Sequence, residues 1–388
     1  MVNYTNTHDS LNLVSQRSKS MAKTRKILVI CPFPVGVAAG QRLKYEQYFQ
    51  SWIENGYDVK VSSFLDLNTW GVAYKKGFWL QKLAGIFRGH MRRLSDIFRL
   101  NCYDCIYIHM WVTPFGSSFF ERLFLMVSKK VIFDLEDFVM YNQGIPQKEV
   151  INRFGRFFKN PNKQQVLIKN ANHVITSSPA LEDYCRAKNK YALATYITSS
   201  VDTDKFIPSS RGTQGPKVVI GWTGTFSSKP YLDEIKDVFQ ELTKKIQFKL
   251  HIICNFDYDL DGVDLKVIQW SRENEVSDLQ ALDIGIYPLP YNDWINGKSG
   301  LKAIQYMAFG IPTVASNTGN TPNIITHRVH GLLVDTKDDW IKSLESLVKD
   351  PLLRRSMGSN ARNKCIAKYS ISSTRKKYSQ ILNDLTSQ

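Results

Sequence analysis

No apolar run in this 388-residue chain approaches the roughly 20 residues that a membrane-spanning helix needs, which leaves a soluble or membrane-surface protein. Cysteine is sparse. The six thiols (Cys31, Cys102, Cys105, Cys185, Cys254, Cys365) are scattered, and only Cys102 and Cys105 are close. A disulfide framework and a cysteine-rich metal knuckle are both excluded by that spacing, and reduced thiols are expected. Residues 1–24 are polar and have no apolar segment of the secretory kind. They are expected to form a disordered extension, and the address is expected to be cytoplasmic. Zinc-finger spacing and RNA-recognition motifs are missing as well, so no nucleic-acid partner is expected.

What is present is the composition of a folded protein. The 43% of hydrophobic and 12% of aromatic residues are too many for a disordered chain, and the length suits two domains of ordinary size. A net charge of +16 calls for an anionic partner, and by charge alone nucleic acid, anionic lipid and sugar nucleotides all qualify.

The pattern along the chain predicts an α/β fold. Lys26–Cys31 is a short apolar run closed by Pro32, Pro34, Gly36 and Gly40, followed by helical spacing from Arg42 to Asn55 and a strand at Val59–Val61. Apolar runs at Cys105–His109, Val131–Phe133 and His173–Thr176 alternate with helical stretches, as in a doubly wound parallel sheet. The segment FIPSSRGTQGPK, residues 206–217, is the predicted linker. The pattern then restarts at Val218–Gly221, with strands expected at Lys249–Cys254, Leu265–Gln269, Asp283–Tyr287 and Thr313–Ser316. The predicted organisation is one Rossmann-like domain over 25–205, a second over 218–371, and a final helix over 372–388.

Two loops carry the chemistry. Residues 297–316, GKSGLKAIQYMAFGIPTVAS, run from a glycine-bearing loop into an apolar helix that stops at Gly310-Ile311-Pro312. Free N–H groups at a helix start suit a diphosphate. Gly224-Thr225-Phe226-Ser227-Ser228-Lys229 likewise joins a strand to a helix and could hold phosphate through its amides and Lys229. A plain turn remains the alternative there, as it does for the small-residue loop from Gly36 to Gly40.

The 297–316 segment resembles the donor-sugar loop and helix of retaining, nucleotide-sugar-dependent glycosyltransferases of family 4, which have the GT-B fold. The loop matches a subgroup reading Gly-Lys-x-Gly-x-Lys. The resemblance implies two Rossmann-like domains facing a cleft, with the last helix crossing back onto the first domain. It also implies transfer of a hexose from a UDP- or GDP-sugar, with retention, to a hydroxyl of a glycan or glycolipid in cell-surface polysaccharide or glycolipid synthesis. Gly36, Gly40, Gly224, Thr225, Gly300, Leu301, Lys302 and Gln305 would then bind the donor. Lys229 and Lys298 would stabilise the leaving diphosphate without a metal, and His109, at a strand end, would lie beside the donor sugar. Arg42, Asp134, Glu136 and Asp137 would serve the acceptor, although a helix-capping role for the carboxylates stays open.

Three positions depart from the family pattern. Gly297 and Gln305 occupy the places of two glutamates with seven residues between them, and Thr225 stands where an arginine usually follows the glycine. Lys298 and Lys302 are the nearest replacements for that lost charge. These departures motivate a rival reading, a catalytically silent subunit of the same fold that binds a partner or a membrane.

Residues 75–99 contain seven basic side chains (Lys75, Lys76, Lys82, Arg88, Arg92, Arg93, Arg99) against Asp96, with Trp79, Leu83, Ile86, Phe87, His90, Leu94 and Ile97 at helical spacing. Such an amphipathic pattern either packs into the core or docks on an anionic membrane surface. The second possibility predicts a peripheral protein on the inner face of the membrane.

Overall fold

The computed structural model describes residues 24–138, 162–209 and 217–387. The expected disordered extension therefore lies, but for residue 24, outside the described residues, as do residues 210–216 of the expected linker.

Among the described residues the strands form two parallel sheets of six. The first contains β1 (Arg25–Cys31), β2 (Tyr57–Ser63), β3 (Cys105–His109), β4 (Val131–Leu135), β5 (His173–Thr176) and β6 (Ala194–Tyr196), in the order β2-β1-β3-β4-β5-β6. The second contains β7 (Val219–Gly224), β8 (Lys249–Cys254), β9 (Leu265–Gln269), β10 (Ile284–Tyr287), β11 (Thr313–Ser316) and β12 (Gly331–Val334), in the order β12-β11-β10-β7-β8-β9. Every residue of β3, β4, β10 and β11 is buried, because helices cover both faces of a parallel sheet. That is why these strands are largely apolar, with His109, Asp134, Thr313 and Ser316 as buried polar exceptions. The edge strands β6 and β12 were not anticipated, since runs of three and four residues are too short to carry a periodic signal.

The chain returns to its first domain at the end. Ser370 caps the helix Ile371–Thr386 by accepting from Ser373 N at 3.2 Å. The helix sets Tyr378, Ile381 and Leu382 into a cluster with Ile27, Val29, Trp52 and Tyr57 of the first domain. Tyr57 Oη donates to Asn383 Oδ1 at 2.9 Å.

The helix Trp79–Ile97 is turned inside out relative to an ordinary surface helix. Gly85 and Gly89 face the protein, where an added Cβ at 89 would lie 2.6 Å from the Phe64 ring and one at 85 would overlap Thr69. Arg93 and Asp96 continue that inner face, both fully buried and paired at 3.0 Å. The Arg93 guanidinium also donates to Val112 O, Ser62 Oγ and Cys31 O, so its donors are satisfied without water. Outward stand Trp79, Leu80, Leu83, Phe87, Met91 and Leu94, all more than 40% exposed. The apolar row read from the sequence is divided: Trp79, Leu83, Phe87 and Leu94 are exposed, whereas Ile97 packs against the first-domain core and His90 against Phe64 and Phe120. The basic residues also need correction as a docking face: Arg93 is interior, Arg92 donates to Phe64 O at 3.0 Å, and Arg88 is paired with Asp66. Among the described residues no helix is long and apolar enough to cross a membrane.

Candidate functional site

The carboxyl ends of the two sheets face each other across a cavity of about 620 Å³. From the first domain it is lined by Phe33, residues 37–40, Trp70, Tyr74, Glu136 and Asp137. The second domain contributes residues 223–228, Tyr231, Asn255, Trp270, Glu275, Tyr287, Leu289, Lys298, Ser299, Leu301, Lys302 and Gln305. Loops after the strands of an open α/β sheet are where ligands bind, and here two such edges share one space.

The helix Leu301–Ala308 begins at this wall. Gly300 caps it with φ of +73°, a left-handed conformation that suits glycine. Close packing also requires it, since an added Cβ would overlap Ile324. The first-turn N–H groups have no carbonyl partner within the helix, and Lys298 and Lys302 stand beside them on the cavity wall. Lys298 Nζ lies 3.5 Å from Asp137 Oδ2 and 5.6 Å from the Trp294 ring centroid. Lys302 Nζ lies 5.6 Å from the ring centroids of both Trp222 and Tyr287 and makes no ion pair among the described residues. Burial, aided by the neighbouring Lys298 charge and opposed by Asp137, pulls its ammonium down to about 8. A cation disfavoured by its surroundings favours an incoming anion.

That value makes a pH prediction. Lys302 carries its charge below about 8 and loses it as pH rises through that value. UDP or GDP affinity should hold between neutral pH and about 8, then fall, with proton uptake on binding near pH 8–9. Calorimetry in two buffers of different ionisation enthalpy measures both. Lys302→Gln should bind more weakly at neutral pH and show a flatter profile; an unchanged fall in the variant would assign the titration to another group.

The sequence-derived candidates divide into those the structure brings to the cavity and those it does not. Gly40, Glu136, Asp137, Gly224, Thr225, Lys298, Leu301, Lys302 and Gln305 line it. Gly36 and Gly300 shape its loops from behind, Gly36 with φ of +83°. Lys229 does not line it: its Nζ is paired with Asp233 at 2.9 Å and lies over the Tyr258 ring. Arg42 is also off the lining and is bound to Glu275 at 2.8 Å. Asp134 is fully buried, so it does not face an acceptor. Its carboxylate accepts from Tyr107 Oη and pairs with Lys44 at 2.7 Å. Burial raises the Asp134 carboxyl, but the Lys44 and His109 charges outweigh that and hold it below the ordinary value. His109 lies one layer behind the cavity wall, 3% exposed, with Nδ1 3.7 Å from Asp134 Oδ2 and its ring over Tyr45. His109→Ala is therefore expected to lower the melting temperature together with activity. Loss of activity at an unchanged melting temperature would bring His109 back to the reacting groups.

Glu136 lines the space together with Asp137. Burial pushes its carboxyl up, the Lys44 and His109 charges oppose this, and Asp134 and Asp137 add to it. It faces Gly40, where an added Cβ would lie 3.0 Å from Glu136 Oε2. Asp137 follows in a left-handed conformation, φ of +64°, rare for a residue with a side chain and a mark of functional sites.

Gly297 has a packing reason. An added Cβ would overlap Phe138 N and lie 2.8 Å from the carbonyl carbon of Asp137, so the second domain presses its backbone against the first at this point. Ser177 Oγ donates to Gly297 O at 2.7 Å across the same contact. No glutamate side chain fits there.

The loop Asp257-Tyr258-Asp259-Leu260-Asp261 has alternating acidic spacing, but among the described residues no group of three His, Cys, Asp or Glu is placed to hold a metal ion. Sequence reasoning missed Glu275, Trp70, Tyr74 and Phe33 as lining residues. A lone glutamate in a first helical turn and isolated aromatics carry no signal that separates them from capping or core residues.

Residues 204–364 match the family model described as "Glycosyl transferases group 1". The match takes in the helix Leu301–Ala308 and the loop before it, and is what this part of the chain is similar to. A D-inositol 3-phosphate glycosyltransferase of Corynebacterium kroppenstedtii is 35% identical over 114 residues, 29% of this chain and 24% of that protein. One of Pseudarthrobacter chlorophenolicus is 27% identical over 148 residues, 37% of this chain and 34% of that protein. The chain thus matches only a quarter to a third of the length of these relatives. Among solved structures, the sucrose-phosphate synthase of Thermosynechococcus elongatus superposes with a TM-score of 0.68 at 15% identity, covering 94% of this chain and 99% of that one. Anabaena HepE in complex with UDP-glucose gives 0.60 at 14% identity, covering 92% and 99%. These likenesses establish the GT-B fold, and the group 1 glycosyltransferase model falls on the half that holds the helix start, Lys298 and Lys302.

Proposed function

We propose that this chain is a group 1 glycosyltransferase and moves a hexose from a UDP- or GDP-sugar to a hydroxyl of a glycan or glycolipid acceptor, with retention of configuration. The observation that carries the reading is the Leu301–Ala308 helix start opening into the interdomain cavity beside Lys298 and Lys302. Two ammonium groups and free amides at one point suit a diphosphate whose charge grows as the sugar leaves. Trp70, Tyr74 and Phe226 supply flat apolar walls for base or sugar, and Glu136 and Asp137 offer acceptors for hydroxyl groups from the opposite side. Relatives that use or bind sugar nucleotides, such as HepE with UDP-glucose, support the donor class. The test is release of UDP or GDP from a panel of sugar nucleotides, followed by anomeric analysis of the product. Binding of no nucleotide would favour the silent-subunit reading.

The acceptor is proposed to be presented at an anionic membrane, in cell-surface polysaccharide or glycolipid synthesis. The outward apolar row of the Trp79–Ile97 helix supports this, with Lys75, Lys76 and Lys82 at its N-terminal end. Large apolar side chains are each worth about 1.5–3 kcal/mol when fully buried, and a basic residue near an anionic surface adds about 1 kcal/mol. The protein should sediment with vesicles rich in phosphatidylglycerol and much less with phosphatidylcholine. Replacing Trp79, Leu83 and Phe87 together by Ser should abolish sedimentation and leave donor hydrolysis intact. Undiminished sedimentation of that variant would remove the helix from the docking surface.

A further inference from the structure

We infer that Glu275 is the carboxylate that receives the ribose diol of the donor nucleotide, held in position by Arg42 of the opposite domain; this rests on the sugar-nucleotide reading above. Glu275 opens the helix Glu275–Gln280 after β9, is 5% exposed, and lines the interdomain cavity. An ionised carboxylate has about four acceptor sites. Two are engaged: Oε2 accepts from Arg42 Nη2 at 2.8 Å and Oε1 accepts from Gln305 Nε2 at 3.4 Å. The second bond is long, and the remaining acceptor capacity borders the cavity.

Position along the neighbouring helix matters. Lys302 and the first-turn amides mark the diphosphate end, and Gln305 lies five residues beyond the Gly300 cap, about 7.5 Å at 1.5 Å per residue. That is about the reach from a diphosphate to the 2′ and 3′ hydroxyls of its ribose. At that distance Gln305 and Glu275 both line the cavity, joined by the 3.4 Å bond. A diol offers two O–H donors, which match the two oxygens of a carboxylate. Gln305 alone offers a single carbonyl oxygen, and its N–H already points at Glu275.

The pairing also joins the two domains. Arg272, three residues before Glu275, donates from Nη1 to Gly36 O at 3.1 Å. One short stretch of the second domain therefore grips the 33–42 loop of the first twice, once as donor and once as acceptor. Burying the Glu275 charge requires a cation, and Arg42 supplies it from across the cleft. The group that would bind the ribose is correctly oriented only while the domains are together.

The test is calorimetric titration of the full chain with UDP and GDP, and with the 2′,3′-dideoxy form of whichever diphosphate binds. Hydrogen bonds to a charged group predict that the wild type prefers the ribose form by about 10- to 100-fold. Glu275→Ala should bring that preference to within about threefold while leaving dideoxy affinity near its wild-type value. The near-isosteric Glu275→Gln, which keeps the shape of the interface, should give an intermediate ratio. Arg42→Gln should reduce the ratio with Glu275 intact, because the carboxylate loses its anchor. A preference that stays at the wild-type level in both Glu275 variants would make Glu275 an interdomain ion pair only and overturn the inference. A wild type that binds neither diphosphate would overturn the donor reading, and this inference with it.

Discussion

Replacing Lys298 by alanine is expected to lower turnover of the sugar nucleotide about a hundredfold, the usual consequence of losing one preorganised charge at a developing anion. Lys298 lines the cavity at the start of the Leu301–Ala308 helix and is held by Asp137 and Trp294. The charge on the leaving diphosphate is greatest in the transition state, so kcat should fall more than donor affinity. The pairing with Asp137 is partly exposed and of little consequence for stability, so the melting temperature should move little. Lys229→Ala should have a much smaller effect, because that amine is engaged with Asp233 outside the cavity lining. Near-normal turnover in Lys298→Ala would move the diphosphate site elsewhere.

Gly297→Glu, which installs the residue usual in the family, is expected to be more damaging than any conservative change in the site. The added side chain would have to enter the contact between residue 297 and the Asp137–Phe138 backbone, and it would bring a second carboxylate beside Asp137. Overpacking costs about 1–3 kcal/mol, and an unpaired charge adds to it. The variant should lose activity and melt at a lower temperature, and small-angle scattering should show a wider cleft. Gly297→Ala should fall between the two. A fully active and equally stable Gly297→Glu would mean that the closely packed contact is dispensable. A departure that looked like a lost catalytic group is thus better accounted for as a packing requirement.

The same distinction separates what was legible in the sequence from what was not. Strands buried on both faces announce themselves as largely apolar runs, so β3, β5, β8 and β11 fall at their expected residues, and the edge strand β9 does so through its Leu, Val and Ile. Gly300 was legible because a left-handed cap before an apolar helix needs glycine. Side-chain direction was not legible. The apolar period of residues 79–97 is the same whether those residues face in or out, and it was Gly85 and Gly89, by allowing Thr69 and Phe64 to approach, that turned the row outward. Acidic residues at the end of β4 looked equivalent, yet register places Asp134 beside Lys44 in the interior and Glu136 and Asp137 on the cavity wall.

By itself the sequence determined the two α/β halves, the final helix, the glycine-bearing loops and the lysines beside them, because each depends on local periodicity or on a backbone conformation that few residues adopt. Tertiary structure alone decided which of these groups meet. Arg42 and Glu275 are 233 residues apart and pair at 2.8 Å, and Gly297 acquires its meaning only against the Asp137–Phe138 backbone. A contact between domains depends on how two sheets are set face to face, and no spacing within either segment encodes it.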